Sequence, residues 1–375
     1  MKTSEAFLAK KLEERSVAGN LRSLRTGNNL IDFCSNDYLG FASSADLKKA
    51  IDDEITEINS VSNGSTGSRL LTGNSLYAEE LENNLATLYY CEAGLIFSSG
   101  YTANLALFSA LPQKGDTIIV DELIHTSIKD GARLSFANCI KFKHNDLESL
   151  ESKLKKATGI CYVVVESVYS MDGDIPDLKQ IIQITNKYSA NLIVDEAHAV
   201  GLFNLGLVTK QMAGEVFARI VTFGKALGCH GAIVLGSKNL IKFLINFSRP
   251  FIYTTAPPLH LFASIKMAFQ KLLNSKNEIE CLKNNICLFR LKIVPDKQIN
   301  LIPGDSAIQS LIFKSNERTK DCSMLLGKSG FDVRPILSPT VPCGSERLRI
   351  CLHSFNTTNE ISLLTDILNK YFNAQ

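Results

Sequence analysis

Val221-Thr-Phe-Gly-Lys-Ala-Leu-Gly-Cys-His-Gly-Ala-Ile-Val-Leu-Gly-Ser237 sets a single lysine between two apolar, strand-like runs. The first run ends at Phe223, Lys225 follows in a turn padded by Gly224, Gly228 and Gly231, and Ile233 to Leu235 leads away. A lysine placed there suits a pocket better than solvent, because desolvation lowers its pKa and makes the amine nucleophilic. Taken alone, Lys225 reads better as an ordinary loop lysine, so its surroundings decide. Upstream, Asn191-Leu-Ile-Val-Asp-Glu-Ala-His198 is a second buried strand whose C-terminal end offers Asp195 and His198.

Working outward, the same pattern recurs. Leu95–Phe97, Thr117–Val120, Cys139–Phe142, Tyr162–Glu166, Leu192–Asp195, Ile220–Phe223 and Ala232–Leu235 are short β-rich runs, mostly separated by segments long enough for a crossover helix. Runs apolar on both faces predict an α/β fold with a mostly parallel seven-stranded sheet covered by helices. Ligands on such sheets sit beyond the strand C-terminal ends. His125, Ser170, Asp195, His198, Thr222 and Lys225 all fall there, and six polar groups at the ends of four strands are hard to explain as packing. The turn Ser98-Ser-Gly-Tyr101 leads from a strand into a helix, which either aims free N–H groups of Gly100 and Tyr101 at a phosphate or is a packing turn. A Schiff-base lysine with a strand-end aspartate is what pyridoxal 5'-phosphate requires: the lysine holds the aldehyde and the aspartate keeps the ring nitrogen protonated.

Composition excludes other classes. In 375 residues with 45% hydrophobic and 21% charged content, the net charge is only +2 and no basic block interleaves with aromatics, so no nucleic-acid partner is expected. Lys153, Lys155 and Lys156 read as a solvated helix face. No apolar run approaches the roughly 20 residues that span a bilayer. The N-terminus lacks the apolar core of a signal peptide, and a cytoplasmic protein is expected. Ten cysteines show no Cys-x-x-Cys pair and no zinc spacing, which predicts buried thiols of a reducing compartment and no metal.

The rest of the chain divides into an arm (1–45), a large domain (46–280) and a small α+β domain (281–375). Phe7, Leu8 and Leu12 have the spacing of an amphipathic helix. Asn36 and Tyr38 either reach a substrate or serve an Asx turn. Asn63-Gly-Ser-Thr-Gly-Ser-Arg69 is glycine-rich but lacks the ending of a phosphate-binding P-loop. Asn74 or Ser75 caps the next helix, and one long helical stretch is expected from Leu259 to about Lys292. In the small domain Arg349 either clamps a carboxylate bidentately or is a surface arginine sharing its strand face with Arg347.

Phe33-Cys-Ser-Asn-Asp-Tyr-Leu-Gly40, Gly67-Ser-Arg-Leu-Leu-Thr-Gly-Asn74, Ser99-Gly-Tyr101, Ser170-Met-Asp-Gly-Asp174, Asp195-Glu-Ala-His198, Thr222-Phe-Gly-Lys225 and Pro339-Thr-Val-Pro342 together resemble the α-oxoamine synthases. These are pyridoxal-phosphate enzymes of the type I transferase fold, and the likeness extends over nearly the whole chain. The resemblance, nearest to the branch serving biotin synthesis, implies an acyltransferase that condenses L-alanine with a pimeloyl thioester and releases CO2. Its alternative is a sibling reaction of glycine or serine with another acyl group. It implies that Lys225 carries the cofactor, Asp195 meets the ring nitrogen and His125 stacks on the ring. His198 and Ser170 would lie toward the phenolic oxygen, and Gly100, Tyr101 and Thr222 near the phosphate. Arg349 would take the amino-acid carboxylate, with Asn36 and His125 also near the substrate. Thr340 and Arg22 or Arg25 would lie along the acyl chain. A homodimer with shared active sites is implied as well.

Overall fold

Six strands of the central sheet run one way and a seventh runs against them. The computed structural model describes residues 3–24, 26, 29–58 and 62–373. The chain opens with α1 (Ser4–Val17), β1 (Ile31–Asp32), α2 (Ala45–Ile58) and α3 (Leu76–Leu88). The large sheet then builds through β2 (Ala93–Phe97), α4 (Gly100–Ala110), β3 (Thr117–Asp121), α5 (Thr126–Leu134), β4 (Asn138–Phe142), α6 (Leu147–Leu154), β5 (Cys161–Glu166), α7 (Leu178–Lys187), β6 (Asn191–Asp195), β7 (Ala218–Thr222) and β8 (Ala232–Gly236). Four helices follow: α8 (Lys238–Phe247), α9 (Arg249–Ile252), α10 (Leu259–Leu273) and α11 (Lys276–Lys292). The C-terminal part holds β9 (Asn300–Leu301), β10 (Ile308–Ile312), α12 (Asn316–Lys328), β11 (Phe331–Asp332), β12 (Arg334–Ile336), β13 (Arg347–Cys351) and α13 (Thr358–Asn373).

The strand order is β2-β8-β7-β6-β5-β3-β4, with β8 antiparallel to both neighbours and the other pairs parallel. The reversal follows from chain length. Residues 223–231 are too few for a crossover, which needs a dozen or more, so β8 can only fold back on β7. Alternation sorts the core into two faces. Val164, Ile193 and Ile220 pack with Leu107, Phe108 and Ile128 on one side, while Val163, Val165 and Val194 pack with Leu150, Leu178 and Ile181 on the other.

Three expectations need correction, the first being the buried thiols, since Cys139, Cys281, Cys287 and Cys343 are exposed on edge and surface positions. β4 is an edge strand with Asn138, Cys139 and Lys141 exposed, because only β3 pairs with it and no second neighbour covers it. The long helix from Leu259 to Lys292 is two helices: α10 ends at Asn274, which caps it with backbone bonds to Lys271 and Leu272 carbonyls, and α11 begins past Ser275. Of the capping alternatives, Ser75 is the one used; its Oγ accepts from Ala78 N.

The small sheet, β12-β13-β10-β9, is antiparallel. β1 pairs in parallel with β11 as a separate two-stranded sheet, which ties the arm to the small domain. One apolar cluster runs without interruption from Leu85 and Phe269 through Leu282, Ile286 and Phe289 of α11 to Leu311 and Phe372. The division at 280/281 therefore lies inside α11, whose buried face belongs to both parts. No residue of α1 is buried.

Candidate active site

The C-terminal ends of β3, β5, β6 and β7 and the N-terminus of α4 converge on one cavity of about 280 Å3. Its walls include Gly100, Tyr101, His125, Ser170, Asp195, His198, Thr222 and Lys225. At the floor, Asp195 is buried. Its Oδ2 accepts from Asn104 Nδ2 at 2.8 Å and its Oδ1 from Ala197 N at 3.0 Å. Burial pushes its pKa up, against the pull of these hydrogen bonds and of His125 and Lys225. Asn104 also donates to Ser127 Oγ at 3.0 Å, and that hydroxyl lies 2.7 Å from His125 Nδ1. A continuous polar chain thus orients His125, the cap residue of α5, from the buried aspartate.

The basic groups in and beside the cavity lower one another's pKa. Burial lowers the pKa of Lys225, and the Arg349 charge lowers it further. Burial also holds His198 well below the ordinary imidazole value, helped by Lys225 and Arg349. His125 is lowered by burial too, with Asp195 opposing. At the helix end, Ser99 Oγ accepts from Thr102 N at 3.1 Å, leaving the N–H groups of Gly100 and Tyr101 for an anion. A Cβ on Gly100 would come 3.0 Å from Thr222 Oγ1, so a larger residue there would crowd the Thr222 hydroxyl.

A second group stands behind Ser170. Arg349 donates from Nε to the Ser170 carbonyl at 2.7 Å and from Nη2 to Asn36 Oδ1 at 2.9 Å, and its Nη1 lies 2.9 Å from Cys351 Sγ. These partners are all neutral, so a mostly buried guanidinium is left in want of an anion. Tyr38 is fully buried; its hydroxyl donates to Asn36 Oδ1 at 3.1 Å and lies 2.7 Å from His198 Nδ1. Of the two residues assigned to substrate or turn, Tyr38 is a link from His198 to Asn36, and Asn36 aims Arg349. Neither Asn36 nor Arg349 lines the 280 Å3 cavity itself.

Arg22 and Thr340 are brought together elsewhere. Arg22 Nη2 donates to Thr340 Oγ1 at 3.4 Å in a separate cavity of about 680 Å3 between the arm and the small domain. Arg25 lies outside the described residues.

The cavity also contains groups not singled out in the sequence: Asn104, Ser127 and Glu166. Glu166 ends β5, its Oε2 accepts from Ser170 N at 3.1 Å, and its buried Oε1 has no partner. Burial, reinforced by Asp195, pushes its carboxyl up to about 8. The available signal was an acid at the end of an all-apolar strand. Chemically, the cavity offers an amine to an aldehyde, a buried carboxylate to a protonated aromatic nitrogen, and a helix start to an anion.

The family model for aminotransferases of class I and II matches residues 28–366. The chain is 37% identical over 363 residues to the 8-amino-7-oxononanoate synthase of Emericella nidulans, covering 90% of this chain and 88% of that protein. Among solved structures, the serine palmitoyltransferase of Sphingomonas wittichii superposes with a TM-score of 0.88 at 26% identity, covering 99% and 98% of the two chains. The 8-amino-7-oxononanoate synthase of Francisella tularensis does so with a TM-score of 0.77 at 28% identity, covering 93% and 99%. With its match spanning nearly the whole sequence and its site built at the strand ends of the same sheet, this chain belongs to the aminotransferase class I and II family.

Proposed function

We propose that this protein is a pyridoxal-phosphate-dependent acyltransferase that condenses L-alanine with a pimeloyl thioester, giving 8-amino-7-oxononanoate, CO2 and the free thiol. The observation that carries the cofactor reading is the cavity in which an amine of lowered pKa, a buried carboxylate and an anion-binding helix start face one space. The residues fit that group: Asp195 suits a protonated ring nitrogen, Lys225 an aldehyde, and the open start of α4 with Thr222 a phosphate. When bound, pyridoxal phosphate supplies an electron sink for charge left on the amino acid's Cα.

The chain's own residues do the rest. His125 would cover the ring, and His198 and Ser170 would lie toward its phenolic side. Arg349 takes the alanine carboxylate, with Asn36 fixing the fork. Burial lowers the pKa of the Lys225 amine, which would act as the base that takes the Cα proton. In the overall balance a bond from Cα to the acyl carbonyl would replace the C–S bond, the thiolate would leave and take up a proton, the bond to the carboxylate would break to release CO2, and Lys225 would return a proton to Cα. Arg22 and Thr340 line the 680 Å3 cavity for the acyl chain. The homodimer is part of the proposal, supported by apolar side chains left in water at Leu71 (81% exposed) and Leu76 (76%) near the 67–74 segment. Among the described residues no helix is long and apolar enough to cross a membrane.

The pimeloyl assignment rests on the relative at 37% identity. A serine-plus-long-acyl reaction is the second reading, favoured by the higher TM-score of the serine palmitoyltransferase structure. The test is to load purified protein with pyridoxal phosphate and offer L-alanine, glycine or L-serine with pimeloyl-CoA or palmitoyl-CoA. Mass spectrometry should find 8-amino-7-oxononanoate from the first pair only. Product from serine and palmitoyl-CoA alone would replace the first reading with the second.

A further inference from the structure

Residues 167–174 form the turn after β5, and the small domain grips it along its length. Arg349 holds the Ser170 carbonyl, Ser310 Oγ donates to the Met171 carbonyl, and Arg347 pairs with Asp172. A Cβ at Gly173, whose φ is +79°, would fall 2.1 Å from the Ile308 carbonyl oxygen. On the large-domain side a single ring anchors the other end. His144, in the loop after β4, sets Nδ1 2.9 Å from Asp121 Oδ1 and Nε2 2.7 Å from Asp174 Oδ2. Its ring stands edge-on to Tyr169, with centroids 4.5 Å apart. Asn145 adds two bonds, from Nδ2 to Asp174 Oδ2 at 2.6 Å and from N to Asp121 Oδ2 at 3.1 Å. His144 lies outside the walls of the active-site cavity.

We propose that His144 is a positioning residue for recognition of the amino-acid carboxylate: it pins the 167–174 turn whose Ser170 carbonyl aims Arg349. The inference rests on the assignment of Arg349 to that carboxylate. The path is short and closed. Tyr169 N donates to Asp174 O at 3.0 Å and Gly173 N to Tyr169 O at 2.8 Å, so movement of Asp174 is passed to Tyr169 and its neighbour Ser170. Both ring nitrogens of His144 face carboxylates, which only accept, so both must donate and the ring is protonated. Burial pulls its pKa down, but the bonds to Asp121 and Asp174 outweigh that and hold it at about 9. A cation at the cluster of His144, Asp172 and Asp174 is a poorer reading, since Arg347 already meets Asp172 and the imidazole meets Asp174.

The test compares His144→Gln and Asp174→Asn with wild type as pyridoxal-phosphate-loaded enzymes. KM and kcat are measured for L-alanine, KM for pimeloyl-CoA, and Kd by calorimetry for L-alanine and for ethylamine, which lacks the carboxylate. Misaiming the fork should raise both KM and Kd for L-alanine about 10-fold. Kd for ethylamine and KM for pimeloyl-CoA should stay within about twofold of wild type. A fall in kcat or in melting temperature with unchanged alanine KM and Kd overturns the proposal, because that is what a purely structural histidine would give. Should both variants fail to fold, Asn145→Gly removes the exposed second donor to Asp174 and keeps the backbone conformation. It should raise alanine KM about threefold, and no change would again overturn the proposal. Failure of wild type itself to bind L-alanine would instead sink the assignment of Arg349.

Discussion

Lys225 does chemistry only if its amine can lose its proton, and its burial beside the Arg349 charge lowers its pKa toward that condition. Lys225→Ala should reduce condensation at least about 1000-fold while leaving the far-ultraviolet circular dichroism unchanged. Arg349→Lys keeps a charge but loses the fork that spans Ser170 O and Asn36 Oδ1. Alanine KM should rise about 10-fold, with the acyl-thioester KM unmoved. Glu166 offers a pH test. Its carboxyl sits near 8 in the fold, above its ordinary 4.5, so the fold binds its proton more tightly than the unfolded chain does. That stabilisation is whole below about 4.5 and is lost as pH climbs through 8. Glu166→Gln stays neutral throughout, so the melting temperature of the cofactor-free variant should fall less than wild type between pH 5 and 8, by about 3 °C or more; parallel curves would show that Glu166 is ionised in the fold. Lys225, Asp195 and His198 were legible in the sequence because polar residues at the end of an apolar run have few structural uses. Asn104 was not, being an ordinary helix residue until the fold sets it 2.8 Å from Asp195, whereas Glu166 carries the same strand-end signal as Asp195.

At the level of elements, α4 and α5 must lie close enough for the start of one to face the cavity while His125 caps the other. Gly131 permits it: a Cβ there would come 2.8 Å from Phe108 Cβ and 3.0 Å from the Asn104 carbonyl oxygen. Both are anchored near the backbone and cannot swing aside. Gly131→Ala should therefore destabilise the fold by about 1–3 kcal/mol in urea titration despite its better helix propensity, and should weaken cofactor retention because Asn104 moves with α4. Strand positions were legible because hydrophobic runs of that length and spacing have one economical arrangement. The reversal of β8 was implicit only in a connection too short to cross over. The exposure of β4 depends on which strand lies at the edge, a property of strand order that no local pattern carries. The break at Asn274-Ser275 was masked because both flanking segments keep helical periodicity.

For the whole molecule, the arm is the part least explained by a single chain. Helix α1 buries none of its residues, and Phe7, Leu8 and Leu12 are 57%, 51% and 56% exposed. An isolated helix of this length is marginal in water, so its apolar residues need a surface that the described residues do not provide. The periodicity of those residues was readable in the sequence; what covers them was not, since a partner leaves no mark on the spacing beyond the apolar face itself. A second copy is the occupant expected here, because the 67–76 segment of the same chain also exposes Leu70, Leu71 and Leu76. The protein should therefore sediment as a particle of twice its 41.3 kDa chain mass at micromolar concentration. Replacing Phe7, Leu8 and Leu12 together with serine should shift the monomer–dimer equilibrium toward monomer by about a hundredfold or more, since three partly buried apolar side chains are each worth about 1 kcal/mol at an interface. The monomer's core contains none of these residues, so its circular dichroism beyond the lost helix should not change. Sedimentation as a 41.3 kDa species in wild type, or an unaltered dimer in the triple variant, would show that α1 is covered by something else.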